Sequence, residues 1–387
     1  MTITVANIRN GVVTVGEERG DTFAFDLEGR PIFALIDGRM YRRGLMNSFL
    51  QIGANNHRHF ALPLSNSAAS EIVKEIRVRA TKIVETSRLG ESEEMAYFMS
   101  RLNALDWENL KIDSQKLLSA YGGPVSIVPP DQYFPLYIRY SHGCTWNRCT
   151  FCTLYTGVRP KVLSADEVEI QTKRLVNILG KGIQTRRTVF IGDGNPINAD
   201  FENFAELLEK IRAITPLPID TFLDTFTREF TGDEIEKLAK LGLHKIYVGL
   251  ESASSEVLRI LNKPIRLDSM ARLIGMFRKA GVLLGLIVLA GAGGVKFERI
   301  HREATAEYIA SLPMSSGDTV FISPIEVANS SRYRIISESE ELGDFSDDEK
   351  ITEAERLKDH IILKWRIKHG TNPPFQIAPY MISESIY

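Results

Sequence analysis

Cysteine is scarce in this chain: three in 387 residues. That excludes the disulfide framework on which small secreted folds depend. Long apolar runs are missing too. The longest, residues 282–294, has 13 residues, whereas a membrane span needs about 20, so it reads as a buried strand and its turn. Charge of one sign is not in excess. The formal net charge is −2, which gives no overall pull toward nucleic acid or an anionic membrane. The start, MTITVANIRN, has neither the basic n-region nor the apolar h-region of a signal peptide. No low-complexity segment interrupts the chain. Together these absences predict a cytoplasmic protein with no membrane and no clear nucleic-acid partner. With 44% apolar residues, the chain can still bury a sizeable core.

The three cysteines are crowded: Cys144, Cys149 and Cys152. Between them lie polar residues, Thr145, Asn147, Arg148 and Thr150, so these are not core cysteines that fell together. Three thiolates can hold a cubane iron–sulfur cluster and leave one iron without a protein ligand. With His142 they could instead form a Cys3His zinc site, although structural zinc more often uses two separated pairs.

From residue 137 to residue 323, short β-rich runs alternate with segments of helical period. The runs are 137–140, 188–191, 219–226, 245–250, 282–289 and 319–323. Ser164-Ala-Asp-Glu167 and Thr231-Gly-Asp-Glu234 have the form of capping boxes. Gly242 stands where a helix end favours φ > 0, and Asp268 is positioned to cap the helix that ends at Ala280-Gly281. Strand–helix alternation predicts a parallel sheet with right-handed crossovers. Six such units make a partial (β/α)6 barrel, an α/β fold whose ligands lie at the carboxyl ends of the strands. The cysteine loop follows the first strand directly, which puts it at that end.

Three domains are predicted. Residues 1–130 form an N-terminal α+β extension, with strands and turns over 1–36, helices over 67–119 and a charged break at 85–94. Residues 131–325 form the barrel, entered through a Gly/Pro-rich linker at 122–131. Residues 326–387 form a C-terminal extension with an acidic turn at 337–349, a helix near 351–365 and a tail that packs, because it alternates apolar and polar residues. The arginine-rich stretch 37–44 reads as a solvated hairpin tip or as a carboxylate- or phosphate-binding segment.

The loop Cys144-Thr-Trp-Asn-Arg-Cys149-Thr-Phe-Cys152 after a first strand resembles the cluster loop of the radical S-adenosylmethionine (radical SAM) superfamily. The usual first gap there is three residues and here it is four, while the Cys-x-aromatic-Cys end is intact. Further segments follow in the family's order. Ile191-Gly192-Asp193-Gly194-Asn195-Pro196 is similar to the glycine stretch that meets the amino group of S-adenosylmethionine. Glycine permits close backbone approach, and Asp193 or strand-end carbonyls can accept from an ammonium. The alternative is a plain turn. Gly249-Leu-Glu251-Ser252 resembles the segment that binds the adenosyl ribose, as a strand-end carboxylate does in dinucleotide folds. The glycines of 291–294 resemble the motif near the adenine. Arg228 resembles an arginine that meets the methionine carboxylate, or else it is a solvated helix-entry residue. Gly293-Gly294, His301 and Thr305-Ala306 resemble the pattern of an uncharacterised subgroup, and His301 is alternatively a helix-surface histidine.

The resemblance implies an enzyme with a [4Fe–4S] cluster on Cys144, Cys149 and Cys152. It implies cofactor contacts at Phe151, Gly192, Asp193, Gly194, Arg228, Glu251, Ser252 and His301. S-adenosylmethionine would be cleaved reductively to a 5′-deoxyadenosyl radical that acts on an unidentified substrate. An external one-electron donor of flavodoxin or ferredoxin type is implied as a partner. With three cysteines no second thiolate-held cluster is available, which argues against a methylthiotransferase. Two other readings stand beside this one: a zinc- or cluster-stabilised binding protein without catalysis, and a cobalamin-dependent methylase.

Overall fold

The computed structural model describes residues 4–55, 58–86, 92–132, 134–197, 200–382 and 386–387. The chain divides into two compact units. One comprises Met1–Leu136, Ile170–Thr188 and Ser383–Tyr387, and the other Tyr137–Glu169 and Val189–Ile382.

The first unit begins with seven strands: β1 (Thr4–Arg9), β2 (Val12–Glu17), β3 (Thr22–Asp26), β4 (Pro31–Ile36), β5 (Arg39–Arg43), β6 (Phe49–Asn55) and β7 (Arg58–Pro63). They form one antiparallel sheet in sequence order. Three helices follow, α1 (Asn66–Thr86), α2 (Glu93–Asn103) and α3 (Trp107–Tyr121). Ala69, Val73, Ile76, Ala80 and Ile83 of α1 recur at helical spacing and are buried. They share a core with Val13, Val15, Phe23 and Phe25 of the sheet. Strands were expected only to residue 36. β5 to β7 were not, because residues 39–43 read Arg-Met-Tyr-Arg-Arg and hide their alternation behind charge. Tyr41 and Arg43 are buried there while Arg39 and Met40 are exposed, so the hairpin-tip reading holds for one end of the stretch and not the other. Residues 87–91 of the expected charged break lie outside the described residues.

The second unit is built on a parallel sheet. Its strands are β8 (Leu136–Arg139), then, beyond the two-residue pair β9 (Ser141–His142) and β10 (Lys161–Val162), β11 (Val189–Gly192), β12 (Ile219–Leu223), β13 (Leu243–Glu251), β14 (Leu283–Ala290), β15 (Thr319–Pro324) and β16 (Gln376–Pro379). The order across the sheet is β16-β15-β14-β13-β12-β11-β8. The first six of the sheet's strands in chain order are those the alternation predicted. The seventh comes from the C-terminal tail, which pairs in parallel with β15 and covers an edge that would otherwise expose unpaired backbone. The sheet stays open, as a partial barrel does.

The helices are α4 (Ala165–Leu179), α5 (Phe201–Ile214), α6 (Gly232–Lys240), α7 (Ser255–Ile260), α8 (Leu267–Lys279), α9 (Gly294–Ser311), α10 (Arg332–Ser339) and α11 (Asp347–His369). Both expected capping boxes form. Ser164 and Glu167 exchange bonds of 2.7 and 3.2 Å ahead of α4, and Thr231 and Glu234 do so at α6. Such caps each stabilise a helix by about 1 kcal/mol. Asp268 is a correction: α8 starts at Leu267 with Arg266 as its N-cap and no side-chain cap bond. Asp268 therefore lies inside the first turn, where its charge complements the helix dipole. The expected C-terminal helix is longer than its apolar period suggested, because a Ser346–Glu349 capping box starts α11 at Asp347. One face of the parallel sheet carries an aromatic layer. Phe190 meets Tyr247 edge to face at 5.7 Å between centroids, and Phe321 meets Tyr380 at 6.1 Å. Each pair contributes about 0.5–1.5 kcal/mol beyond buried area.

Candidate functional site

The cysteine loop is framed by the antiparallel pair β9–β10, with His142 opposite Lys161. From outside, the end of α7 holds the loop. Thr150 donates its N–H to Leu261 O (3.1 Å) and its hydroxyl to Ile260 O (2.8 Å), and Asn262 Nδ2 donates to Arg148 O at 2.8 Å. Trp146 Nε1 donates to Asn262 O at 3.2 Å. All three thiols are unbridged and half-buried. Burial pushes the Cys149 thiol up to about 12, against the pull of Lys263, and raises Cys152 as well. Phe151, between them, packs on an apolar cluster with Val257, Leu261, Ile325 and Tyr333. Among the described residues no group of three or more His, Cys, Asp or Glu side chains is gathered as for one metal ion. Ligands to three separate irons of a cluster need no such convergence.

The glycine stretch after β11 meets this loop directly. Gly194 has φ +57°, and a Cβ there would strike Gly143 O and approach Cys144 Cα to 2.9 Å. A Cβ on Gly192 would strike the Tyr137 hydroxyl. Both glycines are therefore required by close approach. Asp193 is buried and turned into the fold. It accepts from the Tyr137 hydroxyl and pairs with Arg139, whose Nε lies 3.2 Å away. The carboxylate expected to face an ammonium is thus engaged by β8, which leaves the strand-end carbonyls as acceptors.

Glu251 ends β13 at φ +58°, unusual for a residue with a side chain, where the pairing with β14 shifts register between Gly249 and Glu251. Its Oε1 lies 2.5 Å from Lys263 Nζ, and both side chains are nearly buried. The pair occupies the space over Gly249. Burial works against the Lys263 charge, but Glu251 and Cys149 outweigh it and the pKa is raised. Lys263 was missed in the sequence. A lone lysine in Asn262-Lys263-Pro264 looks like a solvated helix end, and the one available signal was its position just beyond the helix that follows Glu251.

Ser252 and His301 are brought together in the interior. Ser252 Oγ lies 2.8 Å from His301 Nδ1, and His301 Nε2 lies 2.7 Å from Leu289 O. Burial holds His301 down at about 4, hence neutral. The helix-surface alternative for His301 is excluded, since it is 1% exposed. Arg228 is placed apart from this group. Its guanidinium pairs with Glu234 and lies 4.7 Å from the ring centres of both Phe201 and Phe230. Gly291 and Gly294 line a small cavity with Ile325, Tyr333, Phe345 and Lys350.

Two buried hydroxyls at the carboxyl edge of the sheet have no hydrogen-bond partner among the described residues, Thr225 Oγ1 just beyond β12 and Ser323 Oγ in β15. Buried polar atoms are as a rule satisfied, and Arg228 Nη1, three residues beyond Thr225, is another buried atom without a hydrogen bond, so this edge is suited to a polar ligand. Three thiols, close-packed glycines and a buried Glu–Lys pair on the carboxyl edge of a parallel sheet are the layout of a cofactor-dependent enzyme. Residues 138–307 match the family model of the radical SAM superfamily, and this domain belongs to that superfamily. Its members are enzymes that use a [4Fe–4S] cluster and S-adenosylmethionine, which are the cofactors of this domain.

Among characterised relatives, a tRNA-2-methylthio-N(6)-dimethylallyladenosine synthase of Clostridium botulinum strain Okra is 26% identical over 195 residues, 48% of this chain and 39% of that protein. The corresponding synthase of Fusobacterium nucleatum is 28% identical over 166 residues, 41% of this chain and 37% of that protein. The chain thus matches well under half the length of these relatives. Solved structures align loosely. Methylornithine synthase superposes with TM-score 0.43 at 16% identity, over 81% of this chain and 87% of that one. SuiB of Streptococcus suis gives 0.45 at 13% identity, over 89% and 72%. Among the described residues no helix is long and apolar enough to cross a membrane.

Proposed function

We propose that this protein is a radical SAM enzyme in which Cys144, Cys149 and Cys152 hold the [4Fe–4S] cluster and S-adenosylmethionine lies along the neighbouring strand ends. The observation that carries the reading is the packing of Gly194 on Cys144, which joins the glycine stretch to the cysteine loop on one edge of the sheet. Backbone groups of residues 192–194 would receive the methionine amino group. Glu251 would accept from the ribose hydroxyls, with Lys263 holding its carboxylate in place. Phe151 and the glycines of residues 291–294 would border the adenine. When bound, the cluster and S-adenosylmethionine would supply, on one-electron reduction by a flavodoxin- or ferredoxin-type donor, a 5′-deoxyadenosyl radical for hydrogen abstraction from a substrate. The orphaned Thr225 and Ser323 hydroxyls offer that substrate or the cofactor its polar contacts. Arg228, paired with Glu234 and set against Phe201 and Phe230, is left out of this reading. The chain's three cysteines cannot supply a second thiolate-held cluster, so the reaction of the methylthio-transferring relatives is not carried over.

The test is anaerobic purification followed by iron and sulfide analysis and reduction with dithionite. Brown protein with near-equal iron and sulfide, an EPR signal from the reduced cluster, and release of 5′-deoxyadenosine from S-adenosylmethionine are expected. Colourless protein with one zinc would overturn the proposal in favour of a binding protein. Co-purified corrinoid would redirect it to a methylase.

A further inference from the structure

Glu251 is held in a left-handed backbone conformation, φ +58°, that residues other than glycine avoid and that persists only where the surroundings over-determine it. Those surroundings are a closed hydrogen-bond chain. Ser252 N donates to Leu250 O at 2.7 Å. Ser254 N donates to Ser252 Oγ at 3.0 Å. Leu289 O, 2.7 Å from His301 Nε2, can only accept, so that nitrogen carries the proton and Nδ1 is an acceptor. The Ser252 hydroxyl, 2.8 Å away, therefore donates to it. One turn further along α9, Thr305 Oγ1 accepts from Ala253 N at 3.1 Å. Ser252 and Thr305 have no exposed surface and His301 has 1%, so water cannot substitute in these bonds. The same turn starts α7, through Val257 N to Ser254 Oγ at 3.4 Å. The end of α7 delivers Lys263, whose N–H donates to Leu258 O at 3.0 Å.

We propose that His301, with Thr305, is a positioning residue. It reads the end of β14 through the Leu289 carbonyl and fixes the Ser252–Ala253 backbone, which aims the Glu251 carboxylate at the S-adenosylmethionine ribose. The inference rests on the ribose reading of Glu251. It assigns His301 no contact with the cofactor, since both of its ring nitrogens are spent inside the fold. Ser252 likewise acts through its neighbours.

The experiment is a binding cycle on the cluster-reconstituted protein, with S-adenosylmethionine and its 2′-deoxyribose analogue as probes in calorimetry. Wild-type protein should prefer S-adenosylmethionine by about tenfold, the value of one hydrogen bond to a charged group. His301→Gln keeps a donor near Leu289 O but loses the acceptor for Ser252. It should weaken S-adenosylmethionine by about tenfold, leave the analogue unchanged, and leave iron content and the EPR signal intact. His301→Asn, which keeps an acceptor at the Nδ1 position, should restore most of the preference. Thr305→Val, nearly isosteric, should shift the preference in the same direction and serves if His301→Gln does not fold. Wild-type affinities for both probes in His301→Gln, or an equal loss for both, would overturn the positioning role. Glu251→Ala separates the two ideas. If it retains the wild-type preference, the ribose reading itself has failed. If it erases the preference while His301→Gln does not, only the positioning inference has.

Discussion

The cysteine loop and the Glu251 turn lie at the ends of different strands of the same sheet and are built in opposite ways. Residues 144–152 are mostly half-buried or exposed, and the Thr150 backbone and the Thr150, Trp146 and Asn262 side chains fasten them to the end of α7. The thiols have no disulfide partners. Residues 251–254 are buried, and the side chains of Ser252, His301 and Thr305 are all used. The loop leaves its three thiols unbridged, with Cys144 Sγ accepting only a long bond from Asn147 N at 3.5 Å, the arrangement that the proposed cluster would complete. The turn spends its polar atoms on itself so that one carboxylate is held still. Preorganisation of this kind lowers the ordering cost paid on binding.

If the comparison is right, damage to the loop removes the cofactor and damage to the turn only weakens binding. The largest effect belongs to the cysteines. Alanine at Cys144, Cys149 or Cys152 should abolish the EPR signal of the reduced cluster, and a triple variant with a full cluster would break the comparison outright. Gly194→Ala comes next. It places a methyl against Gly143 O and Cys144 at a positive φ, and should cost about 2–4 kcal/mol in denaturant unfolding together with loss of cluster incorporation.

The third prediction concerns pH and only the turn. His301 is held at about 4 by burial, with Arg302 pushing the same way, against an ordinary 6.5. The folded state therefore prefers the neutral ring. The stability this gives is complete above pH 6.5 and is lost as pH falls toward 4, up to about 3 kcal/mol in all. Comparing unfolding of wild type and His301→Asn across that window should show the variant with the flatter pH dependence. A parallel pair of curves would show that the imidazole is not the group responsible.

Glu251→Ala should weaken S-adenosylmethionine binding by about 1–3 kcal/mol without loss of iron, which calorimetry and metal analysis check together. The smallest effect is expected at Arg228. Its pairing with Glu234 and its aromatic contacts place it apart from both regions, so Arg228→Gln should change S-adenosylmethionine affinity by less than about threefold, the scale of a partly exposed ion pair. A tenfold loss would bring Arg228 back into the site.

Much of this was legible beforehand where a residue's meaning is local. The βα order, the two capping boxes and the glycine at the Gly194 position follow from short-range period and backbone sterics. Asp193 shows the limit. Its place in a glycine stretch suggested an acceptor for a ligand, yet Tyr137 and Arg139, more than fifty residues earlier in the chain, already occupy it. β5 was obscured in a similar way, since an arginine can be buried at one position, Arg43, and solvated four residues before, at Arg39.

The sequence by itself determined the place of the cysteine loop after the first strand, the parallel α/β order and the glycines that let loop and sheet touch. Each of these depends on one residue's own geometry or on the spacing of near neighbours. Only the tertiary structure decided that Glu251 pairs with Lys263, that His301 faces inward to Ser252 and Leu289, and that the tail supplies β16. Those partners lie between 12 and 57 residues apart in sequence. Strand register and helix packing bring them together, and no local pattern records either.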